Sequence, residues 1–215
     1  MNKMVFDNPF FERMGEIGDW VILNILFVLA SVPLVTAGMS YTAMYQVVLR
    51  QARGESQYMA KEFIQACKKE WKQSTKLWLI FLFTGILLVF DTVYCRNLWK
   101  GLNIAVICLD VIWCFVFVYV FPLQARIENS IKNTIINALL LSVKYLPYTI
   151  IMVLLNSIPF ICIASGIYIS GIALPVYFVI GFSFTAKINS IFLTKAFKVF
   201  TDVESNEENT ANITG

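Results

Sequence analysis

The apolar residues of this chain fall in blocks about twenty residues long, close to what a helix needs to cross the ~30 Å hydrocarbon core of a bilayer. That block length narrows the possible folds more than any other feature. The overall balance agrees with it: 58% of the residues are hydrophobic and 14% charged, where an average soluble domain is about 25% charged. Mean hydropathy is +0.69. Within lipid a lone strand leaves its backbone unpaired, whereas a helix satisfies its own. The expected fold is therefore all-α: a polytopic transmembrane helix bundle with amphipathic cytoplasmic connector helices. Five spans are predicted, at about 18–35, 77–95, 102–123, 146–164 and 168–186. One membrane domain would cover residues 1–200, followed by a disordered acidic tail over 201–215.

The segment Gly18–Glu55 organises the rest. An apolar run (WVILNILFVLASVPLV) breaks at Ser31-Val32-Pro33 and Thr36-Ala37-Gly38. It resumes as YTAMYQVVLRQARGE and ends in positive charge. The run is preceded by Asp7, Glu12, Glu16 and Asp19 against Lys3 and Arg13, the opposite of the basic flank of a cleaved signal peptide. It reads as a permanent span. Residues 1–17 read as a short interfacial lead-in, capped by Asn8 with Pro9 in the first turn.

Residues 36–76 read as a connector too polar to span. Within it Met59, Phe63, Cys67, Trp71 and Trp78 share one helical arc, interrupted by Glu70. Lys61, Lys68, Lys69, Lys72 and Lys76 share the opposite arc. This pattern predicts a basic amphipathic helix lying on anionic lipid. A second amphipathic segment places Ile127, Ile131, Ile135 and Leu139 on one side. With five spans, thirteen Lys and Arg fall on one face of the membrane and four on the other. The basic face is expected to be cytoplasmic, with the N-terminus outside and the C-terminus inside.

The residues exclude much chemistry. The chain has no histidine, which removes a Ser-His-Asp triad, a histidine metal site and a histidine proton relay. Phosphate loops, dinucleotide fingerprints and nucleophile elbows are missing from the sequence. The expectation is a non-enzyme with no cofactor and no nucleic-acid partner. Four of the five cysteines lie in apolar runs without a CxxC pair, as small buried residues do. The polar residues inside spans are the remaining signal. Asp110 is a carboxylate at membrane depth, and such a residue is a functional-site hypothesis by default. With Asn24 and Asn156 it defines a candidate intramembrane polar site.

Several short motifs occur in order: Asn8-Pro9-Phe10-Phe11, Gly18-Asp19, Ser31-Val32-Pro33, Thr36-x-Gly38-x-Ser40-x-x-Ala43, Arg53-Gly54-Glu55, Phe121-Pro122-Leu123-x-Ala125-Arg126 and Asn137-Ala138. Together they resemble the YesL-like family of bacterial integral membrane proteins of unknown function, over about residues 5–200. The resemblance implies a bacterial cell (inner) membrane and a setting of carbohydrate ABC transporters and sensor kinases. It assigns no catalytic residue. Two functions are expected from it and from the residues. One is an accessory or regulatory partner of a carbohydrate ABC transporter permease or a sensor kinase. The other is a small solute carrier, dimeric, with its site around Asp110.

Overall fold

The computed structural model describes residues 9–56, 58–95, 100–164 and 167–197. Every regular element among them is helical. α1 is Pro9–Ser31; a short 3-10 turn, Leu34–Thr36, leads into α2, Ala37–Ala52. α3 is Met59–Cys95, α4 Lys100–Arg126, α5 Ile131–Lys144 and α6 Leu146–Ala164. α7, Ile167–Val176, passes through a π turn, Tyr177–Gly181, into α8 at residues 182–197. Five stretches are long and apolar enough to cross a bilayer: Met14–Ser31, Met59–Tyr94, Asn103–Arg126, Leu146–Ala164 and Ala173–Phe197. The all-α bundle and its five apolar helices are as expected. The acidic tail over 201–215 lies outside the described residues.

The connector 36–76 is the main correction. It is not a polar link between spans. Its first part, α2, is the most enclosed helix of the bundle, with Ala43, Met44, Tyr45, Val47, Val48 and Leu49 all buried. Hydropathy misses α2 because a helix covered by protein need not be apolar toward lipid. Its hydroxyls are satisfied locally: Ser40 donates to Thr36 O and Thr42 to Gly38 O, both at 3.0 Å. Its second part is the first half of α3, which runs straight into the span. A 37-residue helix is about 55 Å long, well beyond a hydrocarbon core of about 30 Å. The basic half is therefore continuous with the apolar half and is not a separate helix. The face it buries also differs from the predicted arc. Phe63, Ala66, Glu70, Ser74 and Leu77 are buried, whereas Trp71 is 54% exposed.

α2 packs antiparallel on this half of α3. Gly38 sits against Trp78, and Arg50 meets Glu62 at the other end. The Gly38 contact requires glycine. A Cβ there would fall 2.2 Å from Trp78 Cβ and 2.9 Å from Ser74 O. Trp78 Nε1 also donates to Leu34 O at 2.8 Å, which ties the α1–α2 turn to the same level of α3. Around this point the rings of Tyr41, Trp78, Phe81, Phe117 and Phe121 form a contiguous aromatic cluster. α4 returns along α3, with Thr92 opposite Asp110, Phe81 opposite Phe117 and Glu70 opposite Gln124.

α1 and α8 run antiparallel side by side. Lys187 stacks over Trp20, Ser183 N donates to Asn24, and Phe182 meets Phe27. The N-terminal end of α1 and the C-terminal end of α8 therefore lie at the same end of the bundle. In a chain of five alternating spans the first and last helices would run parallel, whereas α1 and α8 run antiparallel. The second amphipathic segment forms α5, capped by Ser130, whose side chain accepts from Asn133 N at 3.4 Å. Its buried residues are Thr134, Ala138, Leu141 and Ser142, a face rotated from the predicted isoleucine row.

Replacing Gly38 by alanine forces α2 away from Trp78. The expected cost is about 1–3 kcal/mol, typical of overpacking. It should appear as a lowered thermal unfolding midpoint of the detergent-solubilised protein.

Candidate functional site

The three predicted intramembrane polar residues are all hydrogen-bonded, each to different partners. Asn24 is fully buried. Its amide donates to Phe178 O at 2.5 Å and accepts from Ser183 N at 2.8 Å. Those backbone groups are five residues apart, at the π turn, where the α-helical ladder is open. A side chain from α1 thus closes a break in the last membrane helix. Such insertions are a recognised cause of helix bends. Asn156 accepts from the Tyr41 hydroxyl at 2.9 Å and donates to Met152 O at 2.7 Å. Asp110 accepts from Thr92 Oγ1 at 2.6 Å, near the far end of the α3–α4 hairpin. Among the described residues no hydrogen bond joins Asp110, Asn24 and Asn156 to one another. The arrangement ties helices together pairwise. It does not gather the three side chains at one centre.

Charge gathers elsewhere. At the end of the bundle where α2 stops, α3 begins and α4 ends, a cavity of about 240 Å³ is lined by Gln46, Arg50, Arg53, Lys69, Glu70 and Gln124, with Arg126 and Glu128. Two of these polar side chains are deeply buried, Glu70 at 8% exposed and Gln124 at 3%. Gln124 Nε2 donates to Glu70 Oε2 at 3.2 Å, and Gln124 Oε1 accepts from Gln73 Nε2 at 3.0 Å. Thr134 donates to the same oxygen at 3.4 Å, which carries the network into α5. Lys69 pairs with Glu128 across the cleft. The Gln46 side-chain oxygen is buried without a partner.

Local backbone chemistry builds one wall. Gly54 has φ +74°, the left-handed conformation that glycine adopts freely. Gly54 N donates to Gln51 O and Glu55 N to Arg50 O, a Schellman cap at the end of α2. Arg53 then grips Glu55 with two bonds, at 2.6 and 2.9 Å. The Arg53-Gly54-Glu55 motif is thus a helix stop with a side-chain clamp. Lys61, Lys68, Lys69, Lys72 and Lys76 of the predicted basic row are all exposed.

The cleft itself was not foreseen. Its signals were present in Glu70, which broke an apolar arc, and in two motifs far apart in the chain, Arg53-Gly54-Glu55 and Ala125-Arg126. Nothing in the sequence said that the motifs meet. No cluster of three or more His, Cys, Asp or Glu that could hold a metal occurs among the described residues.

The architecture defines the class: a polytopic, all-α membrane protein. Residues 20–92 match the model of a family described as "Protein of unknown function, DUF624", the family to which YesL-like proteins belong. The YesL-like resemblance is borne out over that segment, which covers α2 and most of α1 and α3. No curated protein and no solved structure matches the chain.

The Arg53 hydrogen bonds hold the Glu55 carboxyl below the usual carboxylate range, and the Lys69 bond does the same for Glu128. Depressed values mean that both pairs stabilise the fold above the unfolded pKa of about 4.3 and release as pH falls through the lower folded values. Both groups are solvent-exposed, so the effect on global stability is small. In ¹³C-glutamate NMR of the protein in micelles, Glu55 should titrate below an ordinary glutamate, and Arg53→Ala should return it to the ordinary range. Separately, Asn24→Ala leaves Phe178 O and Ser183 N without their partner. It should cost about 1–3 kcal/mol, a larger loss of thermal stability than Asn156→Ala at its half-buried site.

Proposed function

We propose that this chain is a non-catalytic accessory or regulatory subunit in a bacterial cell (inner) membrane, and that its charged end engages an integral transporter permease or a sensor kinase. The observation that carries the reading is the convergence of two separate family motifs, Arg53-Gly54-Glu55 and Ala125-Arg126, on one cleft at one end of the bundle. Gly54 and Glu55 shape the helix stop, whereas Arg53, Ala125 and Arg126 line an accessible, strongly polar hollow. Exposed motif residues are a stronger pointer to binding than buried ones. The carbohydrate setting comes from the YesL-like resemblance alone.

The charged end is the cytoplasmic one in this reading. Of the seventeen Lys and Arg, only Arg96 and Lys100 fall in the sequence between the apolar blocks of α3 and α4, and the basic side of a membrane protein faces the cytoplasm. The start of α1 and the end of α8 are then cytoplasmic. A cleft on that side suits a partner whose working parts, an ATPase-coupled permease or a kinase, also face inward.

Mild crosslinking of native membranes, followed by identification of the attached protein, tests this. A permease or sensor kinase should be recovered with the wild-type chain, and recovery should fall at least tenfold with Arg53→Glu, since like-charge juxtaposition costs several kcal/mol and about 1.4 kcal/mol is already tenfold. A lone homodimer whose solute uptake in vesicles is abolished by Asp110→Asn would replace this reading with the carrier.

A further inference from the structure

We propose that the groove between α1 and the basic half of α3 holds one anionic phospholipid, with an acyl chain between the helices and the phosphate on Lys68. The groove is an open, shallow hollow of about 690 Å³ lined by Leu26, Leu29 and Ala30 of α1, Met39 of α2, and Phe63, Ile64, Cys67, Lys68 and Trp71 of α3. Its lining is apolar apart from Lys68. It exists because α1 and the basic half of α3 run beside each other over the floor that α2 provides, so neither helix alone predicts it.

Two features select a lipid over a protein segment, and an anionic lipid over a neutral one. The first is the sorting of charge around this half of α3. Its carboxylates turn away from the groove: Glu70 is buried toward Gln124, and Glu62 faces Arg50. What remains outside is a row of exposed lysines beside the groove. Among the described residues Lys61, Lys68, Lys72 and Lys76 have no ion-pair partner. Four such ammonium groups along one edge repel one another until an anion sits among them. The second is the combination at the rim. Trp71 and Ile64 are 54% and 47% exposed, next to Lys68. An indole beside a lysine is a typical headgroup-level pair, with the ring in the boundary and the ammonium in the phosphate layer. A polar rim joined to a greasy hollow is the shape of a two-part ligand with a charged head and a hydrocarbon tail.

The proposal stands apart from any protein partner and makes its own demands. The chain is reconstituted in vesicles of equal parts phosphatidylcholine and phosphatidylglycerol, released in mild detergent, and analysed by native mass spectrometry for lipids that stay bound. Wild type should retain phosphatidylglycerol in clear preference to phosphatidylcholine. A juxtamembrane lysine is worth about 1 kcal/mol toward an anionic lipid, so Lys68→Gln should reduce that preference roughly fivefold. Ala30→Trp, which fills the groove, should remove the retained lipid while the protein keeps its elution volume and unfolding midpoint. Equal retention of the two lipids, or no response to Lys68→Gln, overturns the anionic site. Retention that falls with Lys68→Gln but ignores Ala30→Trp places the lipid on the lysine face and overturns the groove.

Discussion

The structure depends on the close approach of α2 to α3 at Gly38 and Trp78. With no Cβ at position 38, the two helices meet at a distance that any other residue would prevent. Small residues serve this purpose in membrane bundles, where packing must replace the hydrophobic drive available in water. Once α2 lies there, Trp78 reaches Leu34 O, the aromatic cluster closes around Tyr41, and the α1–α2 turn is held at one level of α3. The path of the whole chain follows from that contact. α2 occupies the centre and runs back toward the end where α1 began.

Polar groups then fasten the outer helices to this centre. Tyr41 binds Asn156 of α6, and Tyr45 accepts from Asn189 of α8 at 3.0 Å. Asn24 closes the π turn from the side. Each bond takes a group that lipid would leave unpaired and gives it a partner on another helix, which is the most economical use of a polar side chain at membrane depth. A carboxylate such as Asp110 fits the same account through its bond to Thr92, without requiring a transport role. The charged cleft is different in kind. It concentrates arginine, lysine and glutamate at one end, encloses Glu70 and Gln124 almost completely, and draws its walls from four separate segments. A site for recognition is more readily built there than in the interior.

Much of the membrane class was legible early, because block length and composition respond directly to the solvent a helix must meet. The spans near 77–95, 102–123 and 146–164 lie within helices of the structure with little adjustment. The lysine row was legible because a 3.6-residue period is a local property. What escaped was whatever depended on cover. α2 looked like a polar connector because its Ser, Thr, Tyr and Gln residues were judged against lipid, when their real surroundings are other helices. Trp71 and Phe63 shared an arc on paper, yet one is exposed and the other buried, because two helices cover only part of that arc.

The sequence by itself determined that this chain is helical, that lipid is the solvent for most of its apolar surface, and that its positive charge is gathered in a few segments. Those are consequences of local period and of transfer free energy, which each residue carries with it. Only the tertiary structure decided that α2 is enclosed by its neighbours, that α1 and α8 run antiparallel side by side, and that Arg53, Glu70, Gln124 and Arg126 share a cleft. Such facts depend on which surfaces hide one another, and a helix buried by its neighbours no longer has to advertise its burial in its own composition.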